Sequence, residues 1–240
     1  YAFRLGLALE HIAERVSQAC PDTIVDFDIT EAHRYVGLGF LRAGKFFLVN
    51  NGPYYHDYNL PLPPDGNWNM FFYPGPARAW ICRTPLSYDK WIPSVLFMTH
   101  YLSDDPEDSQ LINIASLILG QNGVWGDLPS VSEEGVARFA HLLDLYKQVR
   151  DDITESYPVR SGPLAGSPEI HEKISHRSGR GVVVVFSTQA GRYSYVIRNT
   201  VADSHWCTDG VELMRDGQGR ARLEMHFEQP GAKMVFFGVR

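Results

Sequence analysis

Apolar residues in the first quarter of the chain recur with the periods of alternating helices and strands. Between residues 3 and 19 a spacing of three and four predicts an amphipathic helix whose apolar face contains Leu5, Leu9, Ile12 and Val16. β-Branched and aromatic residues predict a strand over 23–29, and a short helix is predicted over 32–43. Residues 45–50, KFFLVN, form a nearly continuous apolar run. Such runs are typical of strands covered on both faces, as in parallel sheets.

The pattern is less regular between residues 51 and 129. A long polar and aromatic loop is predicted over 51 to about 69, followed by a third strand at 69–74. Residues 89–102 are interpreted as mixed helix or loop, because Pro93 interrupts them. The apolar run within 110–129 fits either a strand or a buried helix.

The clearest helix is predicted over 130–153. Ser132 is a candidate N-cap, and Glu133 and Glu134 lie in the first turn, near the positive end of the helix dipole. The apolar face is predicted to contain five residues: Val136, Phe139, Leu142, Leu143 and Tyr146.

The pattern changes near residue 155. Residues 156–168 carry three prolines and two glycines, which predicts a connection. Beyond them lie short alternating or β-branched segments, separated by Ala-Gly, Asp-Gly and Pro-Gly turn signals at 190–191, 216–217 and 230–231. This spacing predicts an antiparallel sandwich. The predicted fold class is therefore α/β over 1–155, followed by an all-β region over 156–240.

Charge and cysteine content narrow the class of protein. The formal net charge is −6, which argues against a nucleic-acid partner. No apolar run long enough to cross a membrane and no signal peptide are visible, and the start at Tyr1 inside a predicted helix suggests a fragment. Cys20, Cys82 and Cys207 are widely spaced and are predicted to be buried free thiols. A cytoplasmic location is favoured, and no metal or cofactor is implied.

The loop-like segments are rich in aromatic and amide residues. Examples are NNGPYYHDYNLP, GNWNMFFYPGP and QNGVWGDLP. Sugars present apolar faces to rings and hydroxyls to polar side chains, so such loops often line carbohydrate sites. The alternative is that the rings only pack beneath long loops.

Two carboxylates lie within the predicted strand 23–29. Residues two apart share a strand face, so Asp26 and Asp28 point to the same side. Burying unpaired charge is unfavourable, so the acids either form a structural network, for instance with Arg34, or border an active site. Glu31 fits a site or the first turn of the next helix.

Three further sets of polar residues have both a functional and a structural interpretation. His56 with Asp57 fits an acid/base or metal pair, although ordinary loop polarity is favoured. Arg83 could bind sugar hydroxyls or pair with Asp89. The segment HEKISHRSG, 171–179, lacks a further metal ligand at suitable spacing and is interpreted as the entry into the sandwich.

The order of elements resembles a known enzyme family. Residues 127–153, DLPSVSEEGVARFAHLLDLYKQVRDDI, and the strand–helix–strand pattern of 23–51 are similar to melibiase-type α-galactosidases of glycoside hydrolase family 36. The resemblance implies that 1–155 is the C-terminal portion of a (β/α)8 TIM-type barrel and that 156–240 is the C-terminal β-sandwich. It implies a glycoside hydrolase acting on α-linked sugars such as α-galactosides.

The resemblance also implies a location for the chemistry. Active sites of such barrels lie at the carboxyl ends of the strands. Asp28, with Asp26 deeper in the strand, is the implied catalytic acid. The implied sugar-binding residues are Glu31, Arg34, Asn50, Asn51, Tyr55, His56, Arg83 and Trp125, and Tyr54 is implied to lie at the same mouth.

The chain departs from the family pattern at the catalytic carboxylates. The family takes its nucleophile from an earlier strand, which implies that the missing N-terminal part of the same chain is a partner. Asn50 and Asn51 stand where its acid/base aspartate is expected, and an amide cannot donate a proton to a leaving oxygen. Either the register differs, or Asp57 or Asp28 serves instead, or the chemistry differs. The alternative function is a non-catalytic carbohydrate-binding or accessory domain, and a weaker one is a purely structural half-barrel.

Overall fold

A computed structural model of the chain describes residues 2–23, 25–28, 46–48, 97–102, 107–119, 121–125, 129, 131–164 and 166–240. In its first part lie α1 (Ala2–Ala19), β1 (Asp26–Asp28), β2 (Phe46–Leu48), β3 (Phe97–Leu102), α2 (Glu107–Ile118), β4 (Gln121–Trp125) and α3 (Glu133–Glu155). Its second part contains β5 (Val159–Ser161), β6 (Glu169–Ile174), β7 (Gly181–Ser187), β8 (Gly191–Val196), β9 (His205–Cys207), β10 (Val211–Arg215), β11 (Ala221–Phe227) and β12 (Gly231–Phe237).

The helix predicted over 3–19 is confirmed as α1. Its last turn is closed by the amide of Cys20, which donates to the carbonyl of Val16 at 2.8 Å. The apolar face differs in detail from the predicted one, because Ala13 is fully buried while Ile12 is 53% exposed. Within the described ranges, no helix combines the length and apolarity needed to cross a membrane.

The strands of the first part form one parallel sheet in the order β1-β2-β3-β4. The predicted strands 23–29 and 45–50 are confirmed as the shorter β1 and β2. The interpretation of 89–102 as helix or loop is wrong for 97–102, which is β3 and pairs with both β2 and β4. Pairing on both sides outweighs the local Pro93 signal on which that interpretation rested.

The apolar run 110–129 contains both structures that its pattern allowed. Residues 107–118 form α2, a turn follows, and β4 then pairs in parallel with β3. β3, α2 and β4 therefore make a βαβ unit. The helix predicted over 32–43, the loop over 51–69 and the strand at 69–74 lie outside the described residues.

Helix α3 confirms the predicted N-cap and part of the predicted apolar face, since Leu142 is buried and Phe139 and Tyr146 pack against the core. The hydroxyl of Ser132 accepts a hydrogen bond from the amide of Gly135 at 3.1 Å. Val136, predicted to be buried, is 52% exposed. The buried stripe is Leu142, Leu145, Val149 and Ile153. These residues follow the helical period from Leu142 onward, and they face the antiparallel part of the chain.

The antiparallel sandwich predicted beyond residue 155 is confirmed. One sheet has five strands in the order β5-β6-β7-β12-β9, and the other has three in the order β10-β11-β8. Only the Asp216-Gly217 signal joins hydrogen-bonded neighbours, β10 and β11; the other two turns connect the two sheets. The predicted connection 156–168 itself contains β5.

The five-stranded sheet is the middle of three layers. Val183, Val185 and Phe237 face the three-stranded sheet. Their neighbours in sequence face α2 and α3 instead, among them Val184 and Phe236. Both faces of this sheet are therefore buried, which explains the continuous apolar run of β7.

Polar contacts also join α3 to the sandwich. The carboxylate of Asp152 accepts hydrogen bonds from the Ser178 hydroxyl at 2.6 Å and from Arg180 Nε at 3.0 Å. The main-chain amide of Arg240 donates to Gln148 Oε1 at 3.0 Å. Hydrogen bonds of Gln148 and Asp152 thus hold α3 against the second part of the chain.

The prediction of buried free thiols holds only in part. Cys207 is partly buried, and its thiol donates to the carbonyl of Val211 at 3.6 Å. Burial raises the pKa of this thiol. Cys20 is free but exposed, because it lies just past the end of α1. Cys82 lies outside the described residues.

Candidate functional site

The carboxyl edge of the parallel sheet is the place where the sequence predicted the site. Asp28 is the last residue of β1 and Trp125 is the last residue of β4. Because all four strands run in the same direction, both residues lie at strand ends on the same edge. Asp26 is the first residue of β1 and lies two residues deeper in the strand than Asp28.

The strand register places Asp28 and Trp125 at different heights along the strand direction. Asp28, Leu48, Met98 and Gln121 lie in one row across the sheet. β4 continues past that row by four residues to Trp125, which is roughly 13 Å along the strand. β4 therefore extends further than β1 at the carboxyl edge, and Trp125 lies beyond the row that contains Asp28.

The other residues assigned to the site lie outside the described residues. They are Glu31, Arg34, Asn50, Asn51, Tyr54, Tyr55, His56 and Arg83. Their roles in sugar binding, like the catalytic roles of Asp26 and Asp28, stay predictions. Among the residues that are described, no three His, Cys, Asp or Glu side chains lie close enough to hold a metal ion.

A buried row of polar side chains on β6 is the first cluster that the sequence analysis missed. Glu169, His171 and Lys173 share the face of the strand directed at the helices, since they pair with Phe186, Val184 and Val182. His171 Nε2 lies 2.6 Å from Glu169 Oε1, and both side chains are buried. His171, interpreted as part of the entry into the sandwich, is in fact inside one of its strands, whereas His176 is exposed in the following turn.

Lys173 connects this row to the parallel sheet. Its ammonium donates to the main-chain carbonyl of Leu119 at 2.8 Å, and the contact is buried. Leu119 directly follows the end of α2, where the helix dipole favours a positive charge. β4 begins two residues later, so the contact holds the amino end of β4, opposite to the carboxyl edge.

Glu172 lies on the other face of β6, inside the sandwich. Its carboxylate accepts hydrogen bonds from the Tyr195 hydroxyl at 2.7 Å and from the Arg198 amide at 3.0 Å. Asn199 donates to it through both its main-chain amide, at 2.8 Å, and its side-chain amide, at 2.5 Å. These four donors compensate the buried charge and fix the loop after β8. The group is enclosed and saturated, which makes it structural.

Burial, together with the hydrogen bond to Glu172, raises the pKa of Tyr195 well above its ordinary value. A raised pKa in the folded state gives stability that is fully present below about pH 10 and is lost as the pH rises above it. We expect Tyr195→Phe to be less sensitive than the parent chain to alkaline pH. Urea unfolding midpoints at pH 8 and pH 10.5 test this, and equal losses in both proteins would contradict it.

The two polar clusters on β6 are buried, and neither opens to a substrate. Their signal in the sequence is weak: four of the six residues of EIHEKI are polar, which is more typical of an exposed strand than of a buried one. The candidate site is therefore the carboxyl edge of the parallel sheet, which the sandwich supports from the opposite end through Lys173.

The fold is similar to that of several solved glycosidases. The GH36 α-galactosidase AgaA from Geobacillus stearothermophilus, in complex with raffinose, matches with a TM-score of 0.65 and 12% identity, over 98% of this chain and 31% of that chain. The α-galactosidase from Lactobacillus brevis matches with a TM-score of 0.63 and 12% identity, over 96% of this chain and 31% of that chain. An Anoxybacillus α-amylase matches with a TM-score of 0.53 and 10% identity, over 96% of this chain and 56% of that chain.

Sequence comparison adds no relative. No protein-family model and no curated protein matches the sequence. At such low identity the structural matches establish the fold alone. The chain spans about a third of the length of the two α-galactosidases. The βαβ-containing parallel sheet and the helix-backed sandwich thus form a unit seen within GH36 α-galactosidases, and the resemblance inferred from the sequence is confirmed as a likeness of fold.

Proposed function

We propose that this chain is the C-terminal portion of a retaining glycoside hydrolase acting on α-linked sugars such as α-galactosides. The observation that carries the proposal is the match of 98% of the chain to 31% of a GH36 α-galactosidase, in a fold that keeps Asp28 at the carboxyl edge of a parallel sheet. That α-galactosidase is a complex with raffinose, which supports a carbohydrate substrate.

In this proposal residues 1–155 belong to an incomplete (β/α)8 barrel and residues 156–240 form the C-terminal sandwich. Four adjacent parallel strands in chain order are what half of such a barrel would contain. The change from parallel to antiparallel strands falls between Glu155 and Val159, at the proposed boundary.

Asp28 is proposed to act at the mouth of that barrel, with Asp26 supporting it and Arg34 donating hydrogen bonds to sugar or to the carboxylate. Trp125, four residues beyond the Asp28 row, would contribute an aromatic face to a more distant part of the sugar. Glu31, Asn50, Asn51, Tyr55, His56 and Arg83 complete the proposed sugar-binding set.

Retention requires two carboxylates about 5 Å apart, one as nucleophile and one as acid/base. We place the nucleophile in a segment of the protein outside these 240 residues, as the family resemblance implies. The 240-residue chain by itself is therefore expected not to hydrolyse nitrophenyl α-galactoside. Robust turnover by the chain alone, abolished by Asp28→Asn, would contradict this and place the nucleophile within it.

The role of Asp28 is tested in the full-length protein. We expect Asp28→Asn to lower kcat/KM about tenfold to hundredfold, the equivalent of one or two lost hydrogen bonds to the reacting sugar, with little change in melting temperature. Asp22→Asn is the matched control, because Asp22 is exposed just before the same strand. A variant that loses stability but keeps its activity would make Asp28 part of the scaffold.

The second candidate is a non-catalytic carbohydrate-binding or accessory domain. The observation that favours it is the pair Asn50 and Asn51 at the place where the family has an acid. It predicts that the full-length protein binds methyl α-galactoside without hydrolysing nitrophenyl α-galactoside, and that Asp28→Asn weakens this binding.

A further inference from the structure

A groove of about 390 Å³ lies on the sandwich, beside the connection between β11 and β12. One wall is the turn at Asp209 and Gly210, and the other is the connection between β11 and β12 with Glu228. Leu111 of α2 also lines it. The polar lining of the groove thus comes from the sandwich, and α2 adds one apolar residue.

Lys233 is the central polar group of the groove. Its ammonium donates to the main-chain carbonyl of Asp209 at 2.6 Å and lies 5.1 Å from the centre of the Phe227 ring. Burial lowers the pKa of Lys233, although nearby Asp209 and Glu228 act in the opposite direction. An ammonium has three N–H donors. Asp209 satisfies one of them, so the geometry leaves donors available to a bound molecule.

Gly210 is required for this geometry. Its φ is +70°, and an added Cβ would lie 2.8 Å from Lys233 Nζ and 3.0 Å from the His226 carbonyl. The missing side chain allows the lysine to approach the turn. The amide of His226 donates to the carbonyl of Gly210 at 2.9 Å, which holds the turn against β11.

The chemistry of the groove selects a class of ligand. Asp209 and Glu228 carry two negative charges against the one positive charge of Lys233, which disfavours an anion. The lining offers donors from Lys233 and carboxylate acceptors within one small space. A hydroxyl group donates and accepts at once, so a neutral polyhydroxylated molecule satisfies both kinds of group.

We propose that this groove is a secondary sugar-binding site, which takes one neutral sugar unit of a glycan outside the catalytic centre. The inference rests on the proposed function for the choice of a glycan as ligand. Lys233 donates to sugar oxygens, and Glu228 and Asp209 accept from sugar hydroxyls.

The test follows the amide resonances of Gly210 and Gly231 in the 240-residue chain while methyl α-galactoside is added. We expect saturable shifts of these two amides, and Lys233→Met should raise the dissociation constant about tenfold, the usual effect of one lost hydrogen bond to a charged group. Methionine keeps an unbranched side chain over Phe227. Lys147→Met is the matched control, because Lys147 pairs with Asp144 on the exposed face of α3.

Absence of shifts at sugar concentrations up to about 100 mM, where binding is no longer specific, would overturn the inference. Unchanged affinity in Lys233→Met, or saturation by inorganic phosphate in place of sugar, would also overturn it. If the groove binds sugar but Asp28→Asn leaves the activity of the full-length protein unchanged, only the proposed role of Asp28 is rejected. If Asp28→Asn reduces turnover of the full-length protein but the groove amides do not respond to sugar, only the secondary site is rejected.

Discussion

Glu172→Ala is expected to lower the free energy of unfolding by about 3–5 kcal/mol, since each unsatisfied buried donor costs about 1–3 kcal/mol. The substitution removes the acceptor for the Tyr195 hydroxyl and for the amides of Arg198 and Asn199. Water can reach some of these groups once the loop after β8 loosens, which is why the expected loss is smaller than the sum of four separate bonds.

Glu172→Gln refines this prediction. Glutamine keeps one oxygen but places an NH2 group against donors, so we expect an intermediate loss of about 1–3 kcal/mol. Glu212→Ala is the control, because Glu212 is an exposed carboxylate on β10, and such substitutions usually change stability by less than about 0.5 kcal/mol. Urea unfolding followed by circular dichroism measures all three. A loss for Glu172→Ala no larger than for the control would show that the carboxylate is dispensable.

Phe236→Ala and Phe237→Ala are each expected to cost about 3–5 kcal/mol, the usual range for a buried phenylalanine. Both side chains are fully buried, although they are neighbours in β12. Phe236 lies in the core shared with α2 and α3, and Phe237 lies in the core between the two sheets. Large losses at both positions would demonstrate that β12 is buried on both faces.

Trp206 distinguishes the two variants. Its ring centre lies 6.1 Å from that of Phe236 and 5.2 Å from that of His141 on α3. We therefore expect Phe236→Ala, more than Phe237→Ala, to alter its fluorescence in the folded state. Met214→Ala is the control, because Met214 is 43% exposed on β10. If Phe237→Ala destabilised the chain while Phe236→Ala behaved like the control, the packing of the helices on the sheet would be refuted.

Elements with a strong local signal were predictable from the sequence. α1 and α3 follow from the spacing of their apolar residues, and Ser132 follows from the preference of hydroxyl side chains for the N-cap. The strands of the sandwich follow from alternation and turn residues. The placement of Asp28 at the end of β1 also follows from the apolar pattern of that strand, whereas Trp125, expected on a later loop, is the last residue of β4.

The face by which an element packs was less predictable. In α3 two apolar stripes overlap in the sequence, one through Val136 and one through Val149. Both fit the helical period, and contact with the middle sheet decides that Val149 is buried while Val136 is exposed. β3 was missed for a related reason, since its strand conformation depends on partners on both sides.

The sequence by itself determined α1, α3 with its N-cap and the strands of the sandwich, because these depend on residues a few positions apart. Only the tertiary structure decided which charged residues are buried. Lys173 finds its acceptor at Leu119, 54 residues away, and Glu172 finds donors at Asn199, 27 residues away. A charged residue is stable inside a protein only where such distant partners compensate its lost hydration, and no local pattern records that compensation.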